Sequence, residues 1–276
     1  MRTWMRSHPA VVGVVGFLIG YAVFRLLPEP NQGMAILKRA LVAAMMMAIM
    51  AVVGGREAFR WEKGSFLHSV RLYRSMLAVT IVMGLFALVT MAQAAQGVPA
   101  AGWGFRIALL AVEFFFVGLF EETCFRGVLM GGLVARLGTT RKGLFAALIF
   151  SSLVFGFAHV DSALFGTLTA STVIQMVSKT VTTGGMGLLI GVVYLKTNNI
   201  WAASILHGFG DYMLMLGASL YMGEQTSHTY VDPEAGVASA LMLMAVMVVL
   251  HLWPVIDGLR LTGKLPLPQR GPWKEA

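Results

Sequence analysis

Long apolar runs separated by short polar connections organise this chain. A helix that crosses the hydrocarbon core of a bilayer needs roughly 20 mostly apolar residues. The hydrophobic pattern predicts such crossings at residues 10–27, 34–53, 75–96, 105–130, 143–160, 181–197, 199–222 and 237–256. These runs predict an all-α, multipass membrane bundle of about eight transmembrane helices, which forms a single integral membrane domain over residues 1–276.

Two stretches between the runs carry a different pattern. Residues 162–180 are polar for a lipid-facing helix, and their pattern is compatible with a loop, a re-entrant turn or the early part of the sixth crossing. Residues 54–74 mix Phe, Trp and Tyr with Arg and Lys, which is typical of an amphipathic segment at the membrane interface. The first run follows Arg2 and Arg6 without a small-residue cleavage site, which favours an uncleaved first crossing.

Composition makes lipid the expected solvent. The chain has 57% hydrophobic and 12% charged residues, whereas a soluble domain carries about a quarter charged residues. So few charges are too few to coat a soluble surface of this size. The single cysteine, Cys124, excludes an intramolecular disulfide and a multi-cysteine metal site.

The net charge of +8 raises the question of nucleic acid binding, but the positions of the basic residues indicate membrane topology instead. With the predicted crossings, fifteen of the 21 lysines and arginines fall on one side of the membrane. Cytoplasmic loops carry such an excess. The pattern therefore predicts that both termini are cytoplasmic, with the lipid bilayer as the surroundings of the protein and no nucleic acid partner. We expect the membrane to be the bacterial inner membrane.

Ionisable side chains inside the predicted crossings are few. Such groups are expensive in hydrocarbon and usually face the protein interior or a wet cavity. They are Glu113, Glu121, Glu122, Arg126, His159, His207, Asp211 and His251. We take this set as the source of candidate site residues, and we assign Glu113 to a cavity lining and His251 to the membrane interface.

A spacing of four residues recurs three times near these groups and puts both members of a pair on one helix face. The pairs are Glu122 with Arg126, Phe155 with His159, and His207 with Asp211. Glutamate four residues before arginine is the favourable orientation for an ion pair. We expect Arg126 to keep Glu122 ionised as a structural pair, which leaves Glu121 to act as a base.

Chain spacing also predicts the depth of these groups in the membrane. Glu121 and His159 are 38 residues apart, and their midpoint, Thr140, lies in a polar turn. Equal rises on two antiparallel helices bring Glu121 and His159 to a similar depth. His207 lies only about two helical turns beyond the polar turn at 197–199, so it is predicted to be shallower unless that turn dips into the membrane.

Carboxylates and histidines that converge in a membrane cavity suit the hydrolysis of an amide. A carboxylate can take a proton from water, and a histidine can hold that water or pass the proton on. A second histidine with a polar partner can donate hydrogen bonds to the oxyanion of a tetrahedral intermediate.

The segments EETCFRG, FGFAH and HGFGD resemble three motifs, E-E-x-x-x-R, F-x-x-x-H and H-x-x-x-N/D, of the CAAX-protease and bacteriocin-processing (CPBP) intramembrane endopeptidases. That family includes the type II CAAX prenyl endopeptidases and abortive-infection-like bacterial proteins. The resemblance covers residues 115–215, which we take as the catalytic core. It implies a bundle of about eight transmembrane helices that encloses a conical polar cavity.

The resemblance also implies roles for the motif residues. Glu121 and His159 would activate the water, and His207 with position 211 would form the oxyanion site. The supporting residues would be Glu122 and Arg126. Asp211 stands where the prenyl endopeptidases have Asn, and an ionised Asp cannot donate a hydrogen bond. Either Asp211 is protonated, or it orients His207 as the acid partner of a dyad, which is the interpretation that we prefer.

Cys124 lies inside the first motif, three residues after Glu121 and nearly on the same helix face. We interpret it first as a small packing residue, because a free cysteine behaves as a minor hydrophobe. The alternative is a thiol nucleophile with His159 or His207 as its base. A thioester formed there would permit transpeptidation, as in a protein-sorting enzyme.

No cofactor is expected, with zinc as the alternative. Two histidines and a carboxylate form a known catalytic zinc set, and here Glu121, His159 and His207 would supply it. The helices carry no H-E-x-x-H segment, and the family resemblance favours water activation without a metal.

A non-catalytic alternative is a peptide-binding immunity or scaffold protein, because binding needs the cavity but not the base. A proton-coupled transporter is disfavoured, since transporters usually show internal repeats and none is visible here. The favoured interpretation is an intramembrane endopeptidase that acts on a membrane protein or a lipidated peptide.

Overall fold

The computed structural model of the chain is helical throughout the part that it describes. It describes residues 2–94, 102–221, 231–270 and 273, and these residues form no β-strand. The prediction of an all-α bundle is therefore confirmed.

Within the described residues, eleven α-helices follow one another along the chain. They are α1 Arg2–Ser7, α2 Pro9–Leu26, α3 Gln32–Val53, α4 Ser65–Leu72, α5 Arg74–Ala94, α6 Trp103–Glu121, α7 Gly131–Leu137, α8 Arg141–Phe157, α9 Ala170–Thr197, α10 Ile200–Tyr221 and α11 Val237–Gly263. Two 3₁₀ turns, Gly55–Phe59 and Asp161–Phe165, lie in connections, and a π-helical segment, Glu122–Met130, joins α6 to α7.

Six of these elements are long and apolar enough to cross a membrane. They are Pro9–Leu26, Gln32–Val53, Arg74–Ala94, Trp103–Leu137, Ala170–Thr197 and Val237–Gly263. The other two predicted crossings correspond to α8, which has 17 residues, and to α10, which has 22. α8 is shorter than each of the six, and α10 is long enough but contains the polar residues His207 and Asp211. Length and apolar character therefore do not confirm the predicted count of eight crossings.

The two stretches with an unusual pattern are both partly helical. Residues 170–180 form the early part of α9, which was one of the three possibilities, while the preceding 3₁₀ turn at Asp161–Phe165 is exposed. The amphipathic stretch contains α4, which buries Ser69 and exposes Leu67 and Arg71. Trp61, just before α4, is also exposed, as expected for a segment at an interface.

Glycines set the closest helix contacts in the bundle. A Cβ atom at Gly118 of α6 would overlap the carbonyl oxygen of Ser204, and one at Gly208 of α10 would overlap that of Phe114. Small residues let helix backbones approach in this way inside membrane proteins. The contact fixes α10 against α6, one turn away from both Glu121 and His207.

Candidate active site

The first motif spans a change of helix type. α6 ends at Glu121, and the backbone continues as a π-helix from Glu122 to Met130. In a π-helix the backbone bond runs from i to i+5, so each residue advances by a smaller angle than in an α-helix. The side chains of two consecutive residues, Glu121 and Glu122, can therefore reach the same neighbour.

That neighbour is His207, which is 1% exposed. Its Nδ1 lies 2.7 Å from Glu122 Oε1, and its Nε2 lies 3.4 Å from Glu121 Oε2. The carboxylate of Glu122 can only accept, so Nδ1 carries the hydrogen of the shorter contact. The two adjacent glutamates thus hold the two nitrogens of one imidazole ring.

His207 lies beside Glu121 rather than at a shallower level, which is the exception that the sequence allowed for an inward turn at 197–199. Asn199 of that turn is 1% exposed, and its Nδ2 donates to Ser65 Oγ of α4 at 2.8 Å. The turn therefore starts α10 inside the bundle. Asp211 Oδ2 lies 3.5 Å from His207 Nε2, and Glu122, at 2.7 Å from Nδ1, is a second and closer acidic partner of the ring that the sequence did not predict.

His159 lies at the level of Glu121, as the symmetric spacing about Thr140 predicted. Its Nδ1 donates to the carbonyl oxygen of Phe155 at 2.8 Å, which leaves Nε2 directed to Glu121 Oε2 at 3.8 Å. Thr140 caps α8 through a hydrogen bond from the backbone N–H of Gly143. A separation of 3.8 Å is too long for a direct hydrogen bond and suits a bridging water.

Arg126 is buried next to Glu122, with 2% of its surface exposed. Its Nε lies 3.3 Å from Glu122 Oε2, so the predicted pair is formed. The guanidinium also lies 3.9 Å from the ring centre of Phe155. The same ring meets the imidazoles of His159 and His207 edge-on, with centroids 4.8 and 5.6 Å apart. Phe155 therefore links the three motifs through one side chain.

Replacing Arg126 by methionine is expected to destabilise the protein by about 3–5 kcal/mol, because the fully buried carboxylate of Glu122 would lose its arginine partner and keep only the contact with His207. Thermal unfolding in detergent measures this loss. Arg25→Met is the matched control, since its pair with Asp161 at 3.7 Å is about half exposed and such pairs contribute about 1 kcal/mol or less. An Arg126→Met protein as stable as the Arg25→Met protein would contradict this role.

A cavity of about 670 Å³ leads to these residues. Its inner part is lined by Phe120, Glu121, Phe125, His159 and Asp211. Its outer part is lined by residues at helix ends, including Arg25, Glu29, Arg106, Ser162 and Ser219, and we call this end of the bundle the open end. The predicted polar cavity therefore exists and contains the principal candidate base.

Cys124 does not belong to this cavity, although the sequence placed it nearly on the face of Glu121. It is fully buried and packs with Phe17 and Met46 in the core formed with α2 and α3. Its Sγ would lie 3.7 Å from a Cβ atom at Gly20 of α2. The smaller angle per residue of the π-helix rotates position 124 away from position 121, which an α-helical extrapolation did not include.

The remaining members of the predicted set lie outside the catalytic cluster. Glu113 lines the cavity as predicted, two turns nearer the open end, and accepts a hydrogen bond from Gln32 at 2.6 Å. His251 is buried, with its Nδ1 on the Met247 carbonyl at 2.8 Å, rather than interfacial. The prediction for His251 failed because α11 packs against α9 and turns this side chain inward.

Sequence reasoning missed Lys179 as a neighbour of the site. This residue of α9 interacts electrostatically with Asp211, Glu121 and His159. Its position nine residues inside a helix could have marked it, because a lysine at that depth needs acidic partners.

The comparison with known protein families agrees with the motifs. The family model described as type II CAAX prenyl endopeptidase Rce1-like matches residues 102–213, a range close to the predicted core at 115–215. The family resemblance is thereby confirmed. No curated protein and no solved structure matches the chain. Together with the six apolar helices, the family match indicates an integral membrane protein and a protease.

Proposed function

We propose that this chain is an intramembrane endopeptidase that hydrolyses a peptide bond of a membrane-anchored or lipid-proximal substrate, using water activated by Glu121 and His159. One observation carries the proposal. Glu121 Oε2 lies 3.8 Å from His159 Nε2 and 3.4 Å from His207 Nε2, at the inner end of a cavity with polar access.

Water fits between Glu121 and His159 on hydrogen-bonding grounds. His159 Nδ1 is occupied as a donor to Phe155, so the neutral ring presents Nε2 as an acceptor. Glu121 presents a second acceptor, and no hydrogen bond to its Oε2 is made within the described part of the chain. One water can donate one hydrogen to each acceptor, which aims its oxygen lone pair into the cavity.

The chemical step then needs no further reagent. As Glu121 takes one proton from water, the water oxygen bonds to the carbonyl carbon and the C=O electron pair moves to oxygen as an oxyanion. The tetrahedral intermediate collapses, the C–N bond breaks, and the proton returns from Glu121 to the leaving amine. The products are a carboxylic acid and an amine, so atoms and charge balance.

His207 is positioned to stabilise the oxyanion. Glu122 holds Nδ1–H, and Nε2 lies 3.4 Å from Glu121 and 3.5 Å from Asp211, two residues that line the cavity. A preorganised donor at a developing oxyanion typically contributes a rate factor of about 10²–10³. The contact of Asp211 with Nε2 supports the acid-partner role preferred for it on sequence grounds.

The proposal is tested by comparing membrane peptides from cells that carry the wild-type chain with those from cells that carry Glu121→Gln. The expected difference is a set of cleaved fragments that occur only with the wild type. Identical peptide populations would overturn the proposal. Retained substrate binding by a variant that produces no fragments supports an enzyme, whereas full biological function of that variant supports a peptide-binding protein.

Cys124→Ala is expected to leave the cleavage rate within about threefold of the wild-type rate. The thiol is fully buried against α2 and α3 and does not line the cavity, so it cannot reach a substrate carbonyl. The measurement is the turnover of a membrane peptide in detergent or in vesicles. Loss of turnover with unchanged thermal unfolding would instead favour the thioester route.

Chelator treatment is expected to leave turnover unchanged, and metal analysis of the active protein is expected to find less than stoichiometric zinc. In the part of the chain that the structure describes, no three His, Cys, Asp or Glu side chains are arranged to hold a metal ion. Inhibition by a chelator that added zinc reverses would contradict the water mechanism given above.

A further inference from the structure

We infer that the active site receives its substrate from the membrane face opposite α1 and the segment after α11, as a polypeptide segment that is exposed on the non-cytoplasmic side. The inference rests on the proposed function for what happens to that segment. The direction of access itself follows from which helix ends surround the cavity and which ends cover the other side.

Five helix ends meet at the open end. The cavity is lined there by Arg25 at the end of α2, Gln32 at the start of α3, Arg106 at the start of α6, Ser162 after α8 and Ser219 near the end of α10. Because these ends line one cavity, they lie at one face of the bundle. The segment before α2 lies at the other end of α2. Arg141, at the start of α8, donates to the carbonyls of Thr262 and Leu265, so the segment after α11 lies at that other face as well.

The opposite face, which we call the closed end, is covered by protein. Trp201 Nε1 donates to the carbonyl of Phe59 at 2.9 Å, and Asn199 donates to Ser65, so the 3₁₀ turn and α4 cover the start of α10. Trp273 is fully buried and its Nε1 donates to the Gly127 carbonyl of the π-helix at 3.0 Å. These contacts place side chains between the active site and the closed end.

The distribution of lysines and arginines indicates which end of the bundle lies on which side of the membrane. The connections at the closed end carry most of the lysines and arginines of the described chain, including Arg56, Arg60, Lys63 and Arg71, all exposed or partly exposed. At the open end the basic residues Arg25 and Arg39 are paired with Asp161 and Glu29, at 3.7 and 3.3 Å.

Positive charge accumulates in cytoplasmic loops, so the closed end is cytoplasmic and the open end faces outward. A substrate displayed in the cytoplasm would meet the basic, covered face.

The depth of the active site restricts how the substrate reaches it. Arg106 precedes Glu121 by fifteen helical residues, which places the active site about 22 Å below the open end. The substrate must therefore reach well below the surface of the bundle to meet Glu121. An extended chain spans this depth with about six or seven residues.

Access is tested by thiol labelling, which does not require catalysis. In a Cys124→Ala background, one protein carries Ser162→Cys at the open end and a matched protein carries Lys63→Cys at the closed end, since both positions are exposed. Intact cells are treated with a membrane-impermeant maleimide before or after permeabilisation. The expected result is labelling of Ser162→Cys in intact cells and labelling of Lys63→Cys only after permeabilisation.

Any pattern in which Ser162→Cys is labelled only after permeabilisation, or Lys63→Cys is labelled before it, overturns the inference.

A second measurement connects access to cleavage. A bulky maleimide attached to Ser162→Cys is expected to reduce turnover at least tenfold, and the same adduct on Lys63→Cys is expected to leave turnover unchanged. Equal turnover of both adducts overturns the access route. Correct labelling with no cleavage by any unmodified protein would refute the proposed function alone.

Discussion

Replacing Glu121 by glutamine is expected to slow peptide-bond hydrolysis by about 10³-fold, since a positioned general base contributes roughly 10²–10⁴-fold. Glu121 Oε2 lies near both His159 Nε2 and His207 Nε2, at 3.8 and 3.4 Å, whereas Glu122 is held by Arg126 and His207. The glutamine side chain has nearly the same size and shape as glutamate, but its neutral amide cannot accept the proton from water. The measurement is single-turnover cleavage of a membrane peptide.

Glu62→Gln provides the matched control, because the same chemical change is made at an exposed residue of the closed end. Its cleavage rate is expected to equal that of the wild type. Substrate affinity in Glu121→Gln should remain within a few fold, because the change affects the transition state and not the cavity walls. A Glu121→Gln protein that retains a tenth of the wild-type rate would exclude Glu121 as the base.

Adding one methyl group at Gly208 is expected to reduce cleavage by about 10²-fold and to lower stability by about 1–3 kcal/mol. The Cβ atom would overlap the carbonyl oxygen of Phe114, which is backbone and cannot rotate away. α10 must then move outward from α6 and take His207 with it. A displacement of about 1 Å at a reacting group can cost a rate factor of 10². Cleavage rate and thermal unfolding are measured on the same preparation.

Gly210→Ala is the matched control for this prediction, because it adds the same methyl group to the same helix two residues later. A Cβ atom there would lie 3.7 Å from Thr80 Oγ1, an ordinary contact distance. Both its activity and its unfolding temperature should stay close to the wild-type values. If Gly208→Ala behaves like Gly210→Ala, the α6–α10 contact does not position the catalytic histidine.

The sequence predicted those parts of the site that depend on regular helical geometry. The ion pair of Glu122 with Arg126 follows from a four-residue spacing, and the approach of Glu121 to His159 follows from equal distances to the turn at Thr140. Both arguments need only a constant rise per residue and antiparallel neighbours. For the same reason the apolar runs predicted the bounds of most helices to within a few residues.

Irregular backbone and long-range packing account for what the sequence did not predict. The π-helix changes the direction of Cys124 and brings Glu122 to His207, and no simple residue pattern marks a π-helix. The depth of His207 depends on α4 covering the turn at Asn199, a contact between residues 134 positions apart. The two adjacent glutamates were a visible signal, because a buried pair of carboxylates needs more than one cationic partner.

The covered closed end has a consequence for how a catalytic cycle finishes. In the part of the chain that the structure describes, the cavity reaches the surface at the open end, so both halves of a cleaved chain leave by the route through which the intact chain entered, the outer half first. The inner half occupies the cavity until it diffuses out, so it competes with the next substrate. We therefore anticipate that synthetic copies of the released inner fragment act as competitive inhibitors, and that turnover under saturating conditions reports departure rather than bond breaking.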